Sequence, residues 1–305
     1  MNHINTMNQE ELAKYIKAGK IAVKIKKFIK GYIKPNMKLI DIAIAIHKEI
    51  EKYALPAFPV NLSIDGIAAH FHPTLDNYEV AKGLLKVDFG ISVDGYIADT
   101  AISLDLTSDN KYKKLIEASE QALENAIGLL KENPSIHEIG KKIQKTIESK
   151  GFSPITNLSG HSIEKYEIHA GLTIPNYGNN NSNKLKAGVY AIEPFSTIGE
   201  GRIYEGASGN IYSIIAQKKP RSEKAREIFD YVFKKYKTLP FSLREVQEKF
   251  GLMARISLKE LENQGVIKTY NQLIEKTHKP IAQSEHTIII IENKGKREVI
   301  VTTSE

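Results

Sequence analysis

Two aspartates in the segment LLKVDFGISVDGYIADTAISL have the clearest potential for chemistry. Asp94-Gly95 separates two β-rich runs and is a favoured sequence for a two-residue hairpin turn. A turn there places Gly90 opposite Asp99, so Asp88 and Asp99 lie diagonally on the same face of the sheet. Diagonal neighbours are roughly 7–8 Å apart at Cα. The two carboxylates can therefore bind a common ion.

A purely structural role for these two acids is disfavoured. They are flanked by Val, Phe, Ile and Ala, so without a cation they would repel each other and lose hydration. The chain has no cysteine, which restricts the ligands of any metal to Asp, Glu and His. The hairpin thus predicts a metal site made of oxygen and nitrogen ligands.

Three later residues can complete such a site. Glu193 ends the apolar run in VYAIEPF, Glu285 begins the run in AQSEHTIIII, and His161 stands in GHSIEKYEIHAG. Each alone is a weak signal, because a Glu at a strand end is usually solvated. Together with the two aspartates they make five ligands, mostly carboxylates, a set that suits two divalent ions better than a single zinc.

The elements that must position these ligands follow from hydrophobic periodicity. The pattern predicts an α+β fold with a mostly antiparallel sheet, and it predicts Ala57–Val60 as an extended or turning link. Predicted helices cover residues 8–33, 39–53, 111–132 and 135–150; predicted strands cover 84–93, 96–104, 189–195 and 287–291.

Residues 218–278 differ in composition from the rest of the chain. Strand patterns disappear, and three short amphipathic helices are predicted at Ser222–Tyr236, Ser242–Phe250 and Met253–Asn263. A turn into a short strand follows at Val266. This order resembles a winged-helix module whose role is packing, inserted into a main domain of residues 1–217 and 279–305.

Composition restricts the classes of protein further. With 305 residues and 41% hydrophobic content the chain can bury a large core. Its apolar runs are too short to span a membrane and its N-terminus is unlike a signal sequence, so we expect a cytoplasmic protein without membrane contact. The net charge of +7 arises largely from residues 14–38, which predicts a solvated helix face rather than a nucleic-acid site.

The ordered ligand set closely resembles that of the type II methionine aminopeptidases of peptidase family M24. The resemblance covers nearly the whole chain and includes PAFPVNLSIDGIAAHFHP at Pro56 to Pro73. A helical insert before Glu285 distinguishes type II from type I members. The chain lacks the long basic N-terminal extension of eukaryotic members, so it is similar to the archaeal type.

The resemblance implies a pita-bread fold, in which a pseudo-twofold axis relates two α/β halves around a pair of metal ions. It implies that Asp88 binds one metal, that Asp99 and Glu285 bridge both, and that His161 and Glu193 complete the other. The cofactor would be two divalent ions, Co, Mn, Fe or Zn, which supply hydroxide at neutral pH. Glu193 would also carry the proton from water to the leaving amine.

Five further residues receive roles from the resemblance. His169 would bind the peptide near the scissile carbonyl, and His70 would contact the N-terminal region of the substrate and stabilise the tetrahedral intermediate. Phe58, Ile168 and Tyr270 would form the pocket for the methionine side chain, since apolar and aromatic groups suit a flexible thioether.

One position departs from the family pattern. Asp65 stands where relatives carry Asn, and we expect this extra carboxylate to raise the pKa of nearby His70. Such a change affects the rate and the pH optimum rather than the reaction class.

The expected activity is removal of the initiator methionine from nascent chains whose second residue is small. The expected partner is the nascent N-terminus, with transient ribosome contact and a monomeric state as further expectations. An Xaa-Pro peptidase shares the fold and ligands, but Asp88 comes too early for the usual extra N-terminal domain. A non-catalytic RNA- or ribosome-binding relative is the other alternative, although such relatives have lost metal ligands.

Overall fold

The structure is a computed structural model that describes residues 7–305. Within these residues seven α-helices occur, and a 3₁₀ helix at Leu130–Glu132 follows the third. The α-helices are α1 (Gln9–Tyr32), α2 (Leu39–Glu51), α3 (Lys113–Leu129), α4 (Ile136–Ser149), α5 (Glu223–Tyr236), α6 (Leu243–Phe250) and α7 (Met253–Asn263). The helix boundaries predicted from the sequence are confirmed to within three residues. No helix of residues 7–305 has the length and apolar character needed to cross a membrane.

The strands form four sheets, and every strand pair among them is antiparallel. The strands are β1 (Leu55–Ile64), β2 (Ile67–Ala69), β3 (Leu84–Val93), β4 (Tyr96–Asp105), β5 (Ser153–Pro154), β6 (Ser159–Ile163), β7 (Thr173–Pro175), β8 (Gly188–Ile192), β9 (Phe195–Thr197), β10 (Ile203–Ile214), β11 (Phe241–Ser242), β12 (Ile267–Glu275), β13 (Ile281–Gln283), β14 (His286–Asn293) and β15 (Lys296–Val301). Their orders are β1-β3-β4, β11-β10-β12-β2, β13-β9-β5 and β15-β14-β8-β6-β7.

The first α/β half packs α1 and α2 on the β1-β3-β4 sheet. A capping box of Asn8 and Glu11 begins α1, and the apolar faces of both helices are buried against the sheet. Ile25 of α1 and Ile46 of α2 share one core with Val87 of β3. This half therefore holds the predicted aspartate hairpin against a rigid helical layer.

The second half packs α3 and α4 on the five-stranded sheet. Ser135 and Glu138 form the capping box of α4, whose buried Ile139 and Ile143 contact the core that includes Ile288 and Ile290 of β14. Two α/β halves, each with helices on a sheet, confirm the predicted α+β class.

Three details of the predicted strands were wrong. The Ala57–Val60 segment is extended, one of the two predicted conformations, but it is not a link, because it lies within the ten-residue strand β1 that pairs with β3. The predicted strand at 189–195 is two strands, since Pro194 cannot donate to a ladder and interrupts it. The sheet expected to be single is divided into four.

The 218–278 segment contains the three predicted helices, and the strand predicted after Val266 is present but is longer than the pattern indicated. β12 is nine residues long and pairs with β10 and β2 outside the segment. Its polar sequence, with Lys268, Asn271 and Gln272 in its interior, hides the strand signal. The inserted-subdomain boundaries stay a prediction, and β12 joins the end of this segment to the main sheets.

Candidate active site

The first two candidate ligands lie on the β3–β4 hairpin. Asp94 and Gly95 have φ values of 54° and 89°, the left-handed conformation that a tight two-residue turn requires. Gly90 pairs with Asp99 and Asp88 pairs with Ala101. The predicted register is confirmed, and Asp88 and Asp99 share one face of the hairpin.

The other three candidate ligands come from the five-stranded sheet and its edge. His161 on β6 pairs with Ala191 on β8, and His286 on β14 pairs with Ile192. Glu193 directly follows β8 and Glu285 directly precedes β14, so the antiparallel pairing places their backbones side by side. Pro194 cannot donate a ladder hydrogen bond, so β8 ends at Ile192 and Glu193 lies just outside the strand.

Hydroxyl side chains join the two halves beside these acids. The Thr287 hydroxyl accepts a hydrogen bond from the Asp99 amide and donates one to the Asp99 carbonyl, both at 2.7 Å. The Thr100 hydroxyl donates to the Glu285 carbonyl at 2.7 Å, and the Glu285 amide donates to the Ala101 carbonyl at 3.2 Å. Carboxylates from two separate sheets are thereby fixed relative to one another.

The five predicted ligands all line one cavity of about 300 Å³. Single ligand atoms of Asp99, His161 and Glu285 lie within 4.8 Å of one another. His161 Nε2 is 3.5 Å from Asp99 Oδ2 and 3.5 Å from Glu193 Oε1. Asp88 completes the group as the neighbour of Asp99 on the hairpin.

The four carboxylates of this cavity have no Lys or Arg ion-pair partner among the described residues. Burial raises the pKa of Asp88 to about 7, and burial together with neighbouring carboxylates raises the pKa values of Asp99, Glu193 and Glu285 well above their usual range. Within residues 7–305 no Lys or Arg forms an ion pair with any of the four, and His161 is their one ion-pair partner there.

These observations fit a bound metal. Oδ1 of Asp88 and Oδ1 of Asp99 are buried and have no hydrogen-bond partner in the described chain. His161 is held neutral, because burial and nearby His169 lower its pKa to about 3. Its Nδ1 lies 3.4 Å from the Ser162 carbonyl, which favours the tautomer whose Nε2 lone pair faces the acids. An array of bare acidic oxygens beside a neutral imidazole suits divalent cations.

His70 lies in the same cavity with a constrained backbone. Its φ of 64° is left-handed, an uncommon conformation for a residue with a side chain. Gly209 on β10 makes this possible, because a Cβ at that position would collide with the His70 carbonyl oxygen. The sequence pattern did not single out Gly209, and only the fold brings it beside His70.

The hydrogen-bond partner of the His70 imidazole shows which ring nitrogen carries the proton. Its Nδ1 lies 3.2 Å from the carbonyl oxygen of Asn271, a group that can only accept, so Nδ1 carries a proton. Burial and the charge of Lys268 lower the pKa of His70 to about 4, which keeps the ring neutral. Neutral His70 therefore presents Nε2 as a hydrogen-bond acceptor.

His169 and the three predicted pocket residues also line the cavity. The ring centroid of His169 lies 4.4 Å from that of His161, and desolvation, His70 and Lys268 lower the pKa of His169 to about 4. Tyr270 stands edge-on to His70 at 5.3 Å. The three predicted pocket residues are Phe58, Ile168 and Tyr270. Every residue that the sequence predicted for the site therefore lines this one cavity.

The expectation for Asp65 was wrong. Asp65 Oδ1 accepts a hydrogen bond from the Leu84 amide at 2.9 Å, which directs the carboxylate toward β3. The pKa of His70 is lowered rather than raised, and Asp65 is not among the groups that shift it. The Asp65 carboxylate stabilises the turn after β1 and does not line the cavity.

The acid cluster between the two α/β halves has the ligand types of a divalent-metal site. Residues 13–255 match the model of metallopeptidase family M24, and the chain belongs to that family. The chain is 42% identical over 291 residues to the methionine aminopeptidase of Methanocaldococcus jannaschii, covering 94% of this chain and 98% of the relative. Membership of family M24 implies that the chain uses divalent metal, and it confirms the predicted pita-bread fold.

Solved structures share that fold at low sequence identity. A thermophilic Arx1 structure superposes with a TM-score of 0.82 at 20% identity, covering 97% of this chain and 91% of that one. A methionine aminopeptidase from Thermotoga maritima gives 0.70 at 21% identity, with coverages of 99% and 100%. These two likenesses concern the fold alone.

Proposed function

We propose that this protein is a methionine aminopeptidase that hydrolyses the first peptide bond of nascent proteins and peptides at a pair of divalent metal ions. The observation that carries the proposal is the single cavity in which four carboxylates and neutral His161 adjoin two further histidines and an apolar pocket. The identity to archaeal methionine aminopeptidases over nearly the full chain supports the same substrate. We place its action in the cytoplasm, where N-termini of nascent chains emerge.

Five side chains would hold the metal pair. By the family resemblance Asp88 would hold one ion, Asp99 and Glu285 would contribute to both, and His161 and Glu193 would hold the other. Single ligand atoms of Asp99, His161 and Glu285 lie within 4.8 Å of one another, which supports a shared ion for these three side chains. When bound, divalent ions lower the pKa of water and polarise the substrate carbonyl. The number and the identity of the ions, Co, Mn, Fe or Zn, belong to this proposal.

Glu193 is assigned a second role as the proton carrier. Its carboxylate lines the cavity beside His161, with Oε1 3.5 Å from Nε2 of that residue, so it lies where a proton acceptor for the attacking water is needed. We propose that Glu193 accepts the proton of the attacking water and gives it to the amine that leaves. General acid–base catalysis of this kind contributes about 10²- to 10⁴-fold.

The two histidines orient the substrate. Neutral His70 presents Nε2 as an acceptor, so we assign to it the N–H of the scissile amide. This contact holds the leaving group while the tetrahedral intermediate forms. We assign His169 to the scissile carbonyl oxygen, since its ring stands next to His161 on the metal side of the cavity.

Phe58, Ile168 and Tyr270 are proposed to receive the methionine side chain. Apolar and aromatic walls suit a polarizable thioether, and their position beside the histidines puts a bound methionine next to the metal ligands. The preference for a small second residue, a monomeric state and transient contact with the ribosome are further parts of the proposal.

The test uses protein stripped of metal and reloaded with Mn, Co or Fe. Met-Ala-Ser should release methionine, whereas Leu-Ala-Ser should react far more slowly. An absence of methionine release with every metal would contradict the proposal. Preferential cleavage of Xaa-Pro peptides would support the Xaa-Pro peptidase instead, and a cellular role untouched by Glu193→Gln would support a non-catalytic binding protein.

A further inference from the structure

His72 is a buried histidine to which the proposed mechanism assigns no task. It is 0% exposed and follows His70, the residue assigned to the scissile amide, by two positions. Both of its ring nitrogens have partners. Nδ1 lies 2.8 Å from the carbonyl oxygen of Val60 on β1, and Nε2 lies 3.3 Å from Nε of Arg244 on α6. His72 therefore joins the stretch after β2 both to β1 and to a helix of the 218–278 segment.

The two partners fix the tautomer of His72. The Val60 carbonyl can only accept, so Nδ1 carries the proton and donates it. The Arg244 guanidinium can only donate, so its Nε–H faces the lone pair of Nε2. Burial and the positive charge of Arg244 lower the pKa of His72 to about 3, which keeps the ring neutral and the lone pair available. The contact is thus a directed hydrogen bond that only one tautomer of a neutral imidazole can make.

The backbone from His70 to His72 needs firm support. His70 has a φ of 64°, and residues in this uncommon conformation persist only where neighbouring contacts hold them. The Phe71 carbonyl accepts a hydrogen bond from the Leu62 amide at 2.8 Å. The His72 amide donates to the Gly209 carbonyl at 3.0 Å. The His72 side chain is a further anchor of the same short stretch, so a change at that anchor is transmitted to His70.

Stability alone does not explain the charge of Arg244. Its side chain is 4% exposed, and replacing a buried ion pair by apolar residues of similar volume is often neutral or stabilising. Nη1 of Arg244 donates to Glu248 at 2.7 Å, but Glu248 lies one turn further along the same helix. Among residues 7–305 the bond to His72 is the one side-chain hydrogen bond by which Arg244 reaches beyond α6.

We infer that Arg244 is a positioning residue that holds His70 in place through His72. The inference rests on the proposed function, in which His70 binds the scissile amide. Neither Arg244 nor His72 lines the cavity, so both act through the backbone from which the His70 imidazole extends. The 218–278 segment thereby gains a part in catalysis beyond the packing role expected from the sequence.

The experiment measures kcat and KM for Met-Ala-Ser in four variants of the Mn²⁺-loaded protein. Arg244→Met removes the donors and keeps an unbranched side chain, and His72→Leu removes the acceptor. These two changes break the same hydrogen bond from opposite ends, so one tests the inference if the other does not fold. His72→Gln offers a carboxamide oxygen in place of Nε2. Arg255→Met is the matched control, because Arg255 belongs to the same segment and pairs with Asp76 of the same loop at 3.1 Å, but its side chain is 49% exposed.

Arg244→Met and His72→Leu should each lower kcat about 10- to 100-fold, because a small displacement of a substrate-orienting group has an effect of this size. KM should change by less than about threefold, since the methionine pocket and the metal ligands stay in place. His72→Gln should recover most of the loss, and Arg255→Met should match the wild type.

The decisive comparison is made in a His70→Ala background. If Arg244 and His72 act through His70, then Arg244→Met or His72→Leu added to His70→Ala should lower kcat by less than about twofold further. A role in the general stability of the fold would instead give the same loss with or without His70.

Three results would overturn the inference. Losses that multiply in the His70→Ala background would mean that the contact supports the fold as a whole. An equal loss in Arg255→Met would assign the effect to docking of the entire segment. A kcat near that of the wild type in Arg244→Met would remove the contact from catalysis.

Failure of the proposed function would be recognised separately, because the wild type itself would then release no methionine. NMR of the imidazoles decides the positioning contact in that case. The His70 resonances should shift in Arg244→Met and stay unchanged in Arg255→Met. Resonances that are unchanged in both variants would overturn the inference without reference to activity.

Discussion

Replacing Asp88 by Asn is expected to stabilise the metal-free protein at neutral pH while abolishing metal binding. Asp88 is buried among three other carboxylates and has an oxygen without a partner. The pKa of this carboxyl is raised from 3.8 to about 7 by burial. Between these values the folded protein must retain a proton that the unfolded chain releases. Asn has a similar shape and no charge, so it avoids this cost.

The magnitude and sign follow from proton linkage. Above about pH 4 the folded state binds more protons than the unfolded state, so the free energy of unfolding of the wild type falls as pH rises toward 7. The change in the pKa of Asp88 from 3.8 to about 7 corresponds to about 4 kcal/mol, at 1.36 kcal/mol for each pH unit. The Asp88→Asn substitution should therefore be neutral near pH 4 and stabilising by about 4 kcal/mol above pH 7.

The assay is urea unfolding in the presence of a chelator, followed by circular dichroism at about pH 4, 5.5 and 7.5. His70, His161 and His169 have lowered pKa values and change stability in the opposite direction, but they are the same in both proteins. The difference between Asp88→Asn and wild type removes their contribution. A difference independent of pH, or a wild type that is more stable at pH 7.5, would refute the argument. Saturating Mn²⁺ should reverse the order by stabilising only the wild type.

The remaining predictions concern groups around the cluster. Glu193→Gln should lower the rate of methionine release by about 10²- to 10⁴-fold with an unchanged circular dichroism spectrum, and a rate near wild type would remove Glu193 from the chemistry. Lys268→Gln should raise the pKa values of His70 and His169, because the Lys268 charge lowers both; imidazole NMR titration measures this, and unmoved values would contradict it. Gly209→Ala should displace His70 through the clash with its carbonyl oxygen and reduce kcat/KM by about 10- to 100-fold, whereas full activity would mean that the His70 position is unimportant.

Local signals in the sequence predicted the aspartate hairpin in detail. The Asp94-Gly95 turn determines strand register by itself, and the pairing of Gly90 with Asp99 is as expected. The predicted helix starts at residues 8 and 135 likewise lie one residue before the observed starts of α1 and α4. These features depend on residues a few positions apart, so a single sequence contains the information.

Features that depend on contacts between distant segments could not be predicted from the sequence pattern. β12 pairs with β10 and β2, and its polar interior hides that role. The left-handed backbone of His70 depends on Gly209, more than a hundred residues away. The hydrogen bond from Arg244 to His72 also joins distant segments and becomes visible only in the folded chain. Local rules predicted only the register of Asp88 and Asp99. That all five ligands meet in one site was predicted from the family resemblance.

The most direct test of the account is anomalous diffraction from crystals of the protein loaded with Mn²⁺. We predict two anomalous peaks about 3.5–4 Å apart, the usual spacing of two-metal sites, between Asp99 and Glu285 and within reach of Asp88, His161 and Glu193. Peaks elsewhere on the protein, or no peak in this cavity at saturating Mn²⁺, would contradict the assignment of the site as the metal centre.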